Sequence, residues 1–148
     1  MRVTDKIKAF YSMLMGLNSL THIGFKLRDP RHVPSNGLAG ESYEFIMEGR
    51  QSASVEFTFY PATADKGDYI VVYLIDYKTD KGFSLDAWLQ KRYGVTHQSP
   101  FKLSNYSGEY DQQLKQFEKF VNDLFYNTEL KSVLEGKEWI DINFNWRL

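Results

Sequence analysis

The sequence predicts an α+β domain, a mainly antiparallel sheet of about five strands with an N-terminal helix and C-terminal helices packed on one face. Three observations predict it. Apolar residues recur at helical spacing near both ends of the chain, they alternate with period two from Glu41 to Tyr77, and a last alternating run closes the sequence. The order helix, strands, helix, helix, strand is that of a sheet covered on one side. With 148 residues and no repeat, linker or low-complexity tract, the chain is expected to form a single domain over 1–148. The aromatic share of 16%, with 11 Phe and 10 Tyr, supplies the large apolar groups that disordered chains lack.

The elements follow in order. Val3, Ile7, Phe10, Leu14 and Leu17 fall on one helical face, with Thr4 and Asp5 as start signals and Asn18-Ser19 as the break. Ile23, Phe25 and Leu27 then alternate with Gly24, Lys26 and Arg28 as a short strand. Residues 29–40, with Pro30, Pro34, Asn36-Gly37 and Gly40, read as a long connection, either mobile crossover or functional loop. From Glu41 the period is two. Tyr43, Phe45 and Met47 oppose Glu44, Ile46 and Glu48, and Val55, Phe57 and Phe59 oppose Ser54, Glu56, Thr58 and Tyr60, a hairpin with one wet face turning at Gly49-Arg50.

The strand over 68–77 has Ile70, Val72 and Leu74 on one face and Tyr69, Val71, Tyr73, Ile75 and Tyr77 on the other. Neither face is polar. Such a strand is central and covered twice, or leaves a tyrosine-lined side for a partner. Ser84 caps a short helix that stops at Gly94; residues 95–108 are loop or short edge strand. Tyr110, Leu114, Phe117, Val121 and Leu124 predict a helix over 109–126 capped by Ser107, followed by a short helix over 128–134 ending at Gly136. Ile140, Ile142, Phe144 and Trp146 alternate with Asp141, Asn143, Asn145 and Arg147, which predicts a last strand.

Net charge is −1, but it alternates along the chain: +4 over 1–40, −5 over 41–77, +3 over 78–108 and −3 over 109–148. Without a concentrated basic cluster, no nucleic-acid partner is expected. No apolar run reaches membrane-spanning length and no signal peptide is evident, so the expectation is a cytoplasmic protein with no membrane partner. The chain has no Cys, and His22, His32 and His97 show no ligand spacing, so no metal is expected. Neither GxGxxG nor GxxxxGK[ST] occurs, and no cofactor is expected.

The candidate surface is Glu44, Glu48 and Glu56 together with Tyr69, Tyr73 and Tyr77. If these share one sheet face they form carboxylates around phenol rings, an arrangement that suits a protein interface and selects a cationic partner. The register decides this, because a slip of one residue exchanges the tyrosine row for Ile70, Val72 and Leu74. Two further readings stay open. The aromatics could line a small-molecule pocket between sheet and helices. The carboxylates, Glu44, Glu48 or Asp76, could serve as acid or base in a small hydrolase.

Four stretches carry a resemblance: Gly82-Phe83-Ser84-Leu85-Asp86-Ala87-Trp88-Leu89, Pro100-Phe101-Lys102-Leu103, the aromatic amphipathic helix over 113–126, and Leu134-Glu135-Gly136-Lys137-Glu138-Trp139. In these the chain resembles the small immunity proteins that bacteria encode beside polymorphic or contact-dependent toxins. The resemblance implies a cytoplasmic, non-enzymatic protein that binds one cognate toxin domain, often a nuclease, and blocks its active site or substrate path. The 41–77 segment is then the candidate contact region.

Overall fold

The computed structural model describes residues 1–34, 40–49, 53–63, 67–94 and 99–142. Its order is α1 (Val3–Met15), α2 (Asn18–Thr21), β1 (Lys26–Leu27), β2 (Arg31–Val33), β3 (Ser42–Glu48), β4 (Ala53–Tyr60), β5 (Tyr69–Asp76), β6 (Lys81–Ser84), α3 (Leu85–Tyr93), two 3-10 turns, α4 (Tyr110–Asn127) and α5 (Leu130–Leu134). The strands form one antiparallel sheet in the order β1-β3-β4-β5-β6, with β2 also pairing to β3. This is the expected α+β architecture.

One face of the sheet is dry. Phe45 and Met47 of β3, Val55, Phe57 and Phe59 of β4, Ile70, Val72 and Leu74 of β5, and Phe83 of β6 join the buried residues of the helices in one cluster. Phe10 of α1 lies at its centre, with ring centroids 4.9 Å from Phe45, 5.5 Å from Phe59 and 6.4 Å from Phe117. The helical spacing of α4 is realised by burial of Leu114, Phe117, Val121 and Phe125. Polar ties hold the layers in place. Asp68 accepts from Lys6 Nζ at 2.8 Å and from the Ala62 backbone N–H at 2.7 Å, while the Tyr110 hydroxyl donates to the Lys6 carbonyl. Asn122 of α4 accepts from the backbone N–H of Ser19 in α2.

Gly49 shows why the hairpin needs a glycine there: a Cβ would stand 2.8 Å from the Phe25 ring and 3.1 Å from the Ala53 carbonyl. Its turn partner Arg50 lies outside the described residues. Ser84 caps α3 as expected, accepting from the Ala87 N–H at 3.1 Å, and Gly94 closes the helix at φ 75°. Ser84→Ala is expected to lower stability by about 1 kcal/mol, read as a lower denaturant midpoint at unchanged slope.

Several expectations are corrected. Asn18 and Ser19 begin a short helix, α2, and the predicted strand at Ile23 is reduced to Lys26 and Leu27 because residues 22–24 form a turn. The connection over 29–40 contains β2; residues 35–39 lie outside the described residues. The cap of α4 is Glu109, through a reciprocal capping box with Gln112, rather than Ser107. Residues 99–105 form 3-10 turns rather than an edge strand, with one isolated bridge from Lys102 to Tyr69; residues 95–98 lie outside the described residues. The short helix expected over 128–134 begins at Leu130, whose N–H donates to the Thr128 hydroxyl. The last strand is not formed over 139–142. Trp139 packs on Phe83 at 5.3 Å and Asp141 is held by Lys81 and Lys91, so packing takes the place of strand pairing; residues 143–148 lie outside the described residues.

Candidate functional site

The register puts five of the six candidate residues, all but Tyr77, on one face, the side of the sheet opposite the core. Ile46 of β3 stands opposite Glu56 of β4, and Glu56 stands opposite Tyr73 of β5. Glu44 pairs with Thr58, Glu48 with Ser54, and Tyr60 with Tyr69. Since side chains alternate along each strand, Glu44, Ile46, Glu48, Glu56, Tyr60, Tyr69, Val71 and Tyr73 all project from this outer side. The Tyr77 hydroxyl joins them by donating to Glu56 Oε1 at 2.6 Å.

Among the described residues no helix directs its buried apolar side chains at this face, although Asp86 in the first turn of α3 comes close enough to act on Tyr69. The buried apolar residues of α1 to α5 all belong to the inner cluster. Among the described residues Ile75 is the one buried apolar residue outside it, and it sits on the outer row next to Tyr73. Tyr60, Tyr69 and Tyr73 are half-buried, Tyr69 packing against the core cluster, and Tyr77 is 52% exposed. The Tyr60 and Tyr69 rings lie 6.5 Å apart.

The charge balance differs from the one the acidic 41–77 segment suggests. The basic first segment folds back on it: Arg31 donates to Glu44 at 2.8 Å, Arg28 to Glu48 at 2.9 Å, and His32 meets Glu41 at 2.8 Å. These exposed pairs contribute little stability, about 0–1 kcal/mol each, but they neutralise two of the three candidate glutamates. Glu56 has no cationic partner among the described residues. It is the uncompensated acid in the middle of the face.

The tyrosines report the local field. Burial and then the Glu44 charge raise the Tyr60 pKa; burial, Asp86 and the neighbouring tyrosines raise that of Tyr69; burial, Tyr60 and Glu56 raise that of Tyr73. Tyr77 is raised by burial and by the hydrogen bond and charge of Glu56, against a lowering from Arg28. All four rings therefore stay neutral donors at physiological pH, within reach of carboxylates. Elsewhere, burial pushes Tyr106 up to about 12 and Tyr110 further. Groups with raised folded-state values keep protons that unfolded tyrosines, near 10, release. Their stabilisation is complete below the unfolded value and is lost as the pH rises through the folded ones. Thermal unfolding at about pH 9 and about pH 11 is expected to show a lower midpoint at the higher pH, without an acid-side counterpart from these groups.

Sequence reasoning left Tyr60 out of the candidate set, although its cross-strand position beside Tyr69 places it in the same row. The signal was the alternation of Ser54, Glu56, Thr58 and Tyr60. For the other two readings the geometry offers less. Between sheet and helices the space is filled by Phe10, Phe45, Phe57, Phe59 and Phe117, none of them measurably exposed. A shallow cavity of about 230 Å³ beside α1 and β1 is lined by Tyr11, Met15, Phe25 and Met47 among others, and no carboxylate lines it. Asp76 is spent on its own turn, accepting from the Lys78 N–H and the Thr79 hydroxyl. Among the described residues no group of three or more His, Asp or Glu is placed to hold a metal ion, and no helix is long and apolar enough to cross a membrane. Compared with family models, curated proteins and solved structures, the chain matches none of them.

Proposed function

We propose that this is a binding protein whose outer sheet face docks a protein partner bearing positive charge, in the manner of an immunity protein occupying its cognate toxin domain. The observation that carries the reading is Glu56, an acid without a cationic partner among the described residues, set among Ile46, Tyr73 and Tyr77 on the side of the sheet opposite the row of Phe45, Phe57 and Val72. Tyrosine combines large rigid contact area with a hydrogen-bonding tip, the composition enriched at interface centres. The Arg28–Glu48 and Arg31–Glu44 pairs form a polar flank along the β1 and β2 edge. Such a rim sets register and association rate more than affinity.

The immunity reading adds the source of the partner: the protein encoded by the adjacent reading frame. Calorimetry with that product is expected to show tight one-to-one binding that weakens as salt rises, and co-expression is expected to relieve its toxicity. Absence of heat and of protection would remove the immunity assignment.

A further inference from the structure

We infer that Glu56, together with the rings of Tyr73 and Tyr77, is the seat for an arginine side chain of the protein partner. This deepens the docking reading and rests on it. The geometry is specific. Tyr73 is the direct cross-strand neighbour of Glu56, Ile46 flanks it on the other side, and the Tyr77 hydroxyl holds Oε1 at 2.6 Å, fixing the carboxylate while its second oxygen keeps its accepting capacity.

The surroundings favour a cation. Glu44, Glu56 and Asp86 each act on a tyrosine of this row, and among the described residues no cation opposes them on Tyr60, Tyr69 or Tyr73. Asp86 stands in the first turn of α3, and its Oδ1 is shielded from solvent with no hydrogen-bond partner among the described residues. Arg28, the one cation among the described residues that acts on Tyr77, is committed to Glu48.

Arginine fits better than lysine for a physical reason. A planar guanidinium can lie on a tyrosine face while its edge donates to a carboxylate, and it sheds water more readily than a compact ammonium. Tyr73 supplies the face and Glu56 the acceptor, on adjacent strands.

The test uses isotope-labelled protein titrated with acetyl-Gly-Arg-Gly-amide or acetyl-Gly-Lys-Gly-amide at matched ionic strength. Expected are shifts confined to residue 56, its cross-strand neighbours and the Tyr73 and Tyr77 rings. The arginine probe should bind about threefold or more tightly than the lysine probe. Glu56→Gln should weaken it about tenfold, and Tyr77→Phe less. Glu44→Gln serves as control and should change little, since Glu44 is already paired with Arg31. Equal binding of both probes, equal loss in Glu44→Gln and Glu56→Gln, or no shifts at all would overturn the arginine seat. If the probes fail while Glu56→Lys still disrupts the partner complex, the docking face stands and only the arginine assignment falls.

Discussion

Phe10→Ala is expected to lower the unfolding free energy by about 3–5 kcal/mol, a fall of roughly 8–15 °C in the thermal midpoint for a chain of this size. The ring has no solvent exposure and meets Phe45, Phe57 and Phe59 of the sheet and Phe117 of α4. In it α1, the sheet and α4 converge. Truncation leaves a cavity bordered by four rings fixed on separate elements, so little of it can close by local movement. Denaturant titration checks this; a loss below about 1 kcal/mol would mean that α1 is not seated on the sheet as described.

Glu56→Lys is expected to do the opposite. Its midpoint should stay within about 2 °C of the parent, because a half-exposed strand position with no ion pair among the described residues contributes little to folding. The partner complex, in contrast, should weaken about 30-fold or more, since the substitution places a cation where a cation is to be received. Tyr73→Ala should follow the same pattern through lost contact area. The two substitutions, read by calorimetry alongside thermal unfolding, separate the faces of the sheet: the inner one carries stability, the outer one carries binding. Loss of folding in both would make the outer tyrosines structural.

Much of this was legible from the sequence because period two is local. The alternation over 43–48, 54–60 and 69–77 was enough to sort Glu44, Glu56 and Tyr73 from Phe45, Phe57 and Val72. The pairing of Glu56 with Tyr73 also needed the register, which the inner rows determine: Phe57 must face Val72 and Phe45 for the dry side to close. What the sequence concealed was non-local. Arg28 and Arg31 neutralise Glu48 and Glu44 only because β2, three residues within a turn-rich stretch, folds back along β3, and nothing in a run so short announces a strand. β6 was missed for the same reason. The alternation after Trp139 carried a true apolar signal, but Trp139 satisfies it by packing on Phe83. The charge blocks mislead in sum, since bases of the first block pair with Glu44, Glu48 and Asp68 of the second and leave Glu56 uncompensated among the described residues.

The most direct measurement is the relaxation of aromatic ring protons by a soluble nitroxide, which reaches only surfaces open to solvent and needs no partner. Tyr73 and Tyr77, with Tyr60 and Tyr69 to a lesser degree, should broaden strongly, while Phe57 and Phe59 on the opposite side of the same strands should be untouched. Tyrosine rings as protected as those phenylalanines would mean that something roofs the outer face, and the docking surface proposed for it would be gone.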